Sequence, residues 1–311
     1  MNSFAVEVED LFKIFGTFVA VDHIHFQVER GEIFGFLGPN GAGKSTTIRM
    51  LCGLLMPSSG KGRVAGFDIM EEPEKIKQVI GYMSQKFSLY EDLTVLENLH
   101  FFGGIYGLTG PFQMEREGEA LKMAGLRELQ DRITRTLAVG WKQRLALGCA
   151  ILHQPSILFL DEPTAGVDPI SRRNFWSLIQ QMGERGVTTF VSTHYMDEAE
   201  YCDRMALIYR GRIIALGTPS ELKLKTIVHG VLEVECDPLI HALDLLKREP
   251  WVSEVAVFGN FLHVIGKEGI DAEQAVSLLF EKHGVYLKGM ERIRPSLEDV
   301  FVSLIEREEK Q

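Results

Sequence analysis

The eight residues Gly38-Pro39-Asn40-Gly41-Ala42-Gly43-Lys44-Ser45 restrict the fold more than any other part of the chain. They match G-x-x-x-x-G-K-[ST] and stand between a short apolar run, Ile33-Phe34-Gly35-Phe36-Leu37, and a helix opening through Ser45-Thr46-Thr47-Ile48. That context gives the pattern its meaning. A buried strand runs into a glycine-rich turn whose N–H groups converge on a phosphate, and the helix N-terminus adds a positive field. Asn40, Gly41, Ala42, Gly43, Lys44, Ser45 and Thr46 are the candidate nucleotide contacts. Lys44 would reach the β- and γ-phosphates and the Ser45 hydroxyl would ligate Mg²⁺.

A second apolar run, Ile157-Leu158-Phe159-Leu160, ends in two adjacent carboxylates, Asp161 and Glu162. The C-terminal end of a buried strand is where phosphate-binding α/β sheets place their sites. Asp161 suits outer-sphere coordination of Mg²⁺, and Glu162 is placed to polarise a water toward the γ-phosphate.

Period-two patterns mark strands at Val6–Val8 and Ile24–Val28, then at Ile33–Leu37. From about Asp92 to Leu152 the apolar spacing becomes helical, and strand patterns return at Ile157–Leu160, Val187–Val191, Met205–Tyr209 and Arg212–Leu216. The expected class is an α/β P-loop core interrupted by a helical insertion, about 90–152, within a first domain over 1–222. A boundary begins at Gly217-Thr218-Pro219, with a short helix around Ser220–Lys225 leading away from the core. The remainder, 228–311, reads strand, helix, strand, strand, helix, strand. That βαββαβ order predicts a small ferredoxin-like α+β domain. A last helix starts at Ser296 as N-cap. This second domain shows no cluster of His, Cys or carboxylates suggesting a site. It is expected to pack or stabilise a dimer, with small-molecule regulation as the alternative; Trp251 and Phe258 are expected in its core.

Thirty-three basic and 43 acidic residues give a net charge of −10, which argues against a duplex-binding surface. Four dispersed cysteines, Cys52, Cys149, Cys202 and Cys236, have no C-x-x-C spacing and are expected to be buried free thiols of a reducing compartment. Met1–Asp10 has neither a basic nor an apolar signal region, and no apolar run approaches the roughly 20 residues that span a bilayer. A soluble chain is expected.

Taken in order, Gly38–Ser45, Gln85 in "GYMSQKFSLYEDLTV", the stretch 137–141, Asp161-Glu162, Asp168 in "TAGVD" and His194 in "STH" resemble the ATP-binding cassette (ABC) ATPases. The resemblance covers roughly residues 4 to 220. The tail, with "PSLEDVF", resembles the accessory C-terminal domain of cassettes serving drug and polysaccharide exporters. The resemblance implies an export-type ABC ATPase with a RecA-like core, using ATP and Mg²⁺. It further implies a second ATPase subunit, an integral membrane permease, and a peripheral position on the cytoplasmic face of the cell membrane.

It also assigns roles that spacing alone does not. Glu162, His194, Gln85 and Lys44 would be catalytic; Ser45, Gln85 and Asp161 would hold the metal; Lys86 to Asp92 would receive the permease. Asp168 would lie across a dimer interface. Phe15, in "KIFG", would stack on adenine, with Phe12 and Phe18 as neighbouring alternatives, and Ala20 would add a small apolar edge.

The stretch 137–141 should read Leu-Ser-Gly-Gly-Gln and complete the ATP site of the facing subunit. Leu137 and Gly140 match, whereas Ala138, Val139 and Trp141 depart, and Lys142-Gln143-Arg144-Leu145 keeps the register. Loss of the hydroxyl removes a hydrogen bond to a charged acceptor, worth about 1.5–3 kcal/mol. A homodimer would then carry two weakened sites; a heterodimer would carry one, and backbone donors alone can also hold phosphate. The homodimer is the preferred reading. The main functional expectation is the ATP-hydrolysing subunit of an exporter. The alternative, a soluble ABC ATPase acting on ribosomes or DNA, fits less well with one acidic cassette.

Overall fold

The computed structural model describes residues 4–86, 88–227 and 230–309. Phe87, inside the expected permease-binding stretch, and Val228, the expected start of the second domain, lie outside the described residues. The chain divides into two compact units, Met1–Leu216 and Gly217–Gln311.

The first unit is built on a six-stranded sheet with the order β10-β9-β3-β8-β7-β6. Its strands are β3 (Ile33–Leu37), β6 (Ile80–Met83), β7 (Ile157–Asp161), β8 (Thr188–Thr193), β9 (Arg204–Tyr209) and β10 (Arg212–Gly217). β6, β7, β8, β3 and β9 run parallel. β3, β7 and β8 are buried along their whole length, which explains their continuous apolar or small-residue composition. A second, antiparallel sheet has the order β2-β1-β4-β5, from β1 (Phe4–Phe15), β2 (Phe18–Glu29), β4 (Ser59–Val64) and β5 (Phe67–Asp68).

A cluster of five phenylalanines joins the two sheets. Phe26 of β2 meets Phe34 and Phe36 of β3, Phe190 of β8 packs on all three and on Phe159 of β7, and neighbouring ring centroids are 5.3 to 5.9 Å apart. These rings lie just under the strand ends that carry the phosphate loop, and tilted aromatic pairs add about 0.5–1.5 kcal/mol each beyond area burial. Helix α1 (Lys44–Leu51) joins this core through Ile48 and Leu51. The other face of the parallel sheet is covered by α6 (Pro169–Glu184), whose Phe175, Trp176, Ile179 and Met182 pack on Leu158, Leu160 and Val191.

The helical insertion comprises α3 (Val95–Ile105), α4 (Gly110–Ala124) and α5 (Val139–Ala150), packed through Leu99, Leu121 and Leu145. Thr94 and Glu97 form a reciprocal capping box at the start of α3. The short helix α2 (Pro73–Val79) precedes β6. The sequence patterns did not reveal β4, β5, α2, β6 or α6.

The second unit begins with α7 (Pro219–Thr226), so the linking helix belongs to it rather than ending the first domain at residue 222. Arg307 of the last helix, α10 (Leu297–Glu309), donates to the Thr226 carbonyl at 3.1 Å. Between them lie β11 (Val231–Asp237), α8 (Leu239–Leu246), β12 (Val252–Phe258), β13 (Phe261–Gly266), α9 (Ala272–His283) and β14 (Tyr286–Ile293). The sheet order β12-β13-β11-β14, antiparallel throughout, is that of a split βαβ unit.

Leu262 and Val264 of β13 face the core cluster with α8 and α9, while the intervening His263 points to the other face. There the structure brings together a His–carboxylate group that the sequence patterns did not reveal. His263 Nδ1 lies 2.6 Å from Asp299 Oδ1, and its Nε2 lies 3.2 Å from Glu233 Oε2. Phe258 stacks on the imidazole at 4.0 Å. Desolvation alone would lower the His263 pKa, but the two carboxylates outweigh it and hold the pKa above its ordinary value. Asp299 is held below the carboxylate range despite its burial by His263 and by Ser296, whose N–H and Oγ–H it accepts while capping α10.

Candidate active site

Four neighbouring parallel strands, β3, β8, β7 and β6, end side by side, and each delivers one expected motif. Leu37 of β3, just before the glycine loop, pairs with Thr193 of β8, just before His194. Asp161 of β7 pairs with Ser192, and Met83 of β6, two residues before Gln85, pairs with Leu160. Parallel register therefore brings together residues separated by more than a hundred positions.

The glycine loop turns sharply into α1. Gly43 is the N-cap of α1 at φ 108°, and a β-carbon there would come 2.4 Å from the Ala20 carbonyl oxygen, so only glycine fits. No side chain caps the first turn of α1, which leaves its N–H groups to an anion. A cavity of 340 Å³ opens here, lined by Asn40, Gly41, Gly43, Lys44, Ser45, Thr46, Gln85, Glu162, Ala20 and Phe18.

Lys44 is buried. Its Nζ donates to the carbonyls of Gly38 at 2.8 Å and Pro39 at 3.1 Å, and lies 3.1 Å from Glu162 Oε1. Gln85 Nε2 donates to Glu162 Oε2 at 2.9 Å, and His194 Nδ1 lies 3.4 Å from the same oxygen. Glu162 sits at φ 48°, a strained backbone for a residue with a β-carbon, and its N–H is fixed by the Ser192 carbonyl and hydroxyl at 3.1 Å each. Lys44, Gln85, Glu162 and His194 thus meet at one point.

Asp161 Oδ1 accepts from Ser45 Oγ at 3.0 Å and from Ser192 Oγ at 2.7 Å. Its Oδ2 is buried and has no partner. A buried carboxylate oxygen without a donor is costly, and an adjacent hydrated cation would satisfy it. The donor set of Ser45, Asp161 and the Gln85 amide oxygen is all oxygen, as Mg²⁺ requires. The residues present therefore fit this metal.

The base-stacking candidates separate. Ala20 lines the cavity and is buried, and Phe18 lines it too, 60% exposed. Phe15 is 47% exposed at the end of β1, under the Lys13 ammonium at 5.0 Å, and is not among the lining residues. Leu137, Ala138, Val139, Gly140 and Trp141 do not line this cavity either. Ala138 is the N-cap of α5, extended at φ −63° and ψ 155°, with no side-chain cap. Val139 is exposed, Leu137 is buried, and Trp141 carries the Arg144 guanidinium 4.8 Å above its ring. Asp168 caps α6, accepting from the N–H groups of Ile170 at 3.1 Å and Ser171 at 2.9 Å. The bonds with Ser171 hold its pKa below the usual range.

The model of the ABC transporter family matches residues 21–165. Over 306 residues the chain is 36% identical to the linearmycin resistance ATP-binding protein LnrL of Bacillus subtilis, covering 97% of this chain and 98% of LnrL. The chain belongs to the ABC transporter ATP-binding family. It is also 56% identical over 221 residues to YbhF of Escherichia coli, a probable multidrug ABC transporter ATP-binding protein. That match covers 71% of this chain and 38% of YbhF, so the chain spans well under half of that relative. A solved dimer of the ATP-binding cassette MJ0796, in a post-hydrolysis state with ADP and Pi, superposes with a TM-score of 0.63 at 25% identity. It covers 68% of this chain and 98% of that one.

Within this ABC cassette, two structural facts bear on the altered stretch 137–141. A β-carbon on Gly140 would lie 2.9 Å from Ser171 Cβ and 3.0 Å from its Oγ, so glycine is required here for α5 to pack against α6. With alanine at position 138, the N-cap of α5 has no side-chain hydrogen bond. Ser192, whose hydroxyl donates to Asp161 and accepts from the Glu162 N–H, escaped the sequence patterns. The hydroxyl of Ser192, two residues before His194, was the available clue; Asp161–Ser192 pairing across β7 and β8 is what gives it meaning.

Proposed function

We propose that this cassette binds and hydrolyses ATP as the energising subunit of an exporter whose membrane-spanning part is a separate permease. The observation that carries this reading is the convergence of Lys44, Gln85, Glu162 and His194 beside an Asp161 oxygen that lacks a partner. Similarity to the linearmycin resistance protein LnrL and to the probable multidrug ABC transporter protein YbhF supports the transport role. No helix among the described residues is long and apolar enough to cross a membrane.

In this reading the α1 N-terminus and Lys44 hold the β- and γ-phosphates, and Ala20 and an aromatic ring of the β1–β2 hairpin take the base. The charge neutralisation that Mg²⁺ supplies on phosphate oxygens is added when it is bound by Ser45, Gln85 and Asp161. Glu162 accepts a proton from the attacking water, and Gln85 and His194 orient that carboxylate and the γ-phosphate. Two copies close face to face in this reading; the similar cassette MJ0796 is dimeric in its ADP- and Pi-bound state. Each copy places residues 137–141 against the partner's nucleotide and Asp168 across the dimer interface, at the cytoplasmic side of the membrane. With Ala138 at the N-cap, backbone N–H groups carry that contact and turnover is slow.

The test is purification of the full chain from detergent-solubilised membranes with ATP hydrolysis as readout. Co-purification of a multi-span membrane protein and phosphate release abolished by Lys44→Ala are expected. Recovery with ribosomes or nucleic acid and no membrane protein would contradict the transport role.

A further inference from the structure

Glu198 is fully buried on the short helical turn Met196–Tyr201, four residues after His194, and none of the roles above uses it. Its Oε1 accepts from Thr164 Oγ1 at 2.5 Å and its Oε2 from Thr193 Oγ1 at 2.6 Å. Arg172 Nε lies 3.4 Å from Oε1. A buried carboxylate is costly, and an apolar side chain of similar volume often stabilises a fold as well or better. Packing alone therefore gives this charge no reason to be here.

Each partner of Glu198 is next to a residue of the site. Thr164 lies two positions after Glu162, on the loop that leaves β7. Thr193 immediately precedes His194, and its Oγ1 also accepts the Tyr195 N–H at 3.0 Å. Arg172 lies in the first turn of α6, which Asp168 caps, and its guanidinium stacks 3.8 Å from the Tyr195 ring. The neighbouring Ser171 is the residue against which Gly140 packs. One carboxylate thus ties the loop after Glu162, the His194 loop and the start of α6 into a single body.

We propose that Glu198 is a positioning residue for ATP hydrolysis, holding His194 and Glu162 in register with the Asp168–Gly140 surface. The proposal rests on the ATPase reading above. In a closed dimer those two groups serve different nucleotides, so Glu198 links the two ATP sites of the assembly through a contiguous, fully packed set of contacts.

The experiment compares ATP hydrolysis, per folded protein, of the full chain with its Glu198→Gln, Thr193→Val and Thr193→Ser variants. The two hydroxyls meet different carboxylate oxygens, so an amide there faces one of them with an NH₂ donor in place of an acceptor, and Val keeps the Thr shape without its donor. Glu198→Gln and Thr193→Val should each lower kcat roughly tenfold, about 1.4 kcal/mol of transition-state stabilisation, with KM for ATP within about twofold. Thr193→Ser, which keeps the hydroxyl, should restore the rate. Should Glu198→Gln fail to fold, the Thr193 pair carries the test alone. Wild-type kcat in the folded variants, or Thr193→Ser as slow as Thr193→Val, would overturn the proposal. A wild-type chain that hydrolyses no ATP would instead refute the ATPase reading on which it rests.

Discussion

Replacing Ala138 by serine places one hydroxyl at a position where the structure and the proposed dimer together give it two separable effects. Ala138 occupies the N-cap of α5 in extended backbone, with Trp141 N–H already 3.0 Å from its carbonyl. A serine there can accept a first-turn N–H through an oxygen lone pair and still donate its own proton outward. Filling an empty N-cap is worth about 1 kcal/mol, which for a domain of this size raises Tm by roughly 2–4 °C. Donation to a γ-phosphate is worth about 1.5–3 kcal/mol. If that bond completes only as the dimer closes on the transition state, turnover rises by roughly ten- to a hundredfold. Any share already formed in the ground state appears in KM instead. Ala138→Ser is therefore expected to raise Tm by a few degrees and kcat severalfold or more, measured by thermal unfolding and by phosphate release from the assembled transporter. Val139→Gly would be added if the branched side chain obstructs approach. A higher Tm with unchanged or lower kcat would refute the claim that the missing hydroxyl limits turnover, leaving it as a lost cap alone.

Gly140→Ala pushes a β-carbon to within 3 Å of Ser171 and should cost about 1–3 kcal/mol through overpacking; Ser171→Gly in the same chain should recover part of the lost Tm. The His263 latch makes the second unit pH-dependent. Because its folded pKa is raised, the stabilisation is fully present below the ordinary value of 6.5 and is lost as pH climbs through the folded value. Asp299, with a depressed pKa, contributes above its ordinary value of 3.8 and loses that contribution as pH falls through the folded value. Thermal unfolding should thus show stability declining as pH rises above 6.5, and His263→Gln should flatten that decline.

The core of the site was legible because it depends on local chemistry. The glycine loop needs particular residues at fixed spacing, and Asp161-Glu162 closes a strand too apolar to lie anywhere but inside. The strand patterns of the second unit alternate cleanly, so their order was readable. What escaped depends on register between distant segments. Nothing local in the sequence marks His263, because Glu233 and Asp299 reach it from β11 and α10, 30 and 36 positions away. Ser192 gains its role only through parallel pairing with Asp161. The helix α6 was hidden behind its opening Asp168-Pro169, which reads equally as a turn, and Gly140 showed its packing role only once α6 stood against α5.

ATP-dependent association of the Glu162→Gln variant tests the central claim most directly. Glu162 is the carboxylate on which Lys44, Gln85 and His194 converge, so an amide there should stop hydrolysis while leaving nucleotide binding in place. By light scattering on a size-exclusion column, the variant is expected to run as a monomer without nucleotide and as a stable dimer with ATP and Mg²⁺, and Lys44→Ala should abolish the shift. A variant that stays monomeric with ATP, or hydrolyses it at the wild-type rate, would contradict the account.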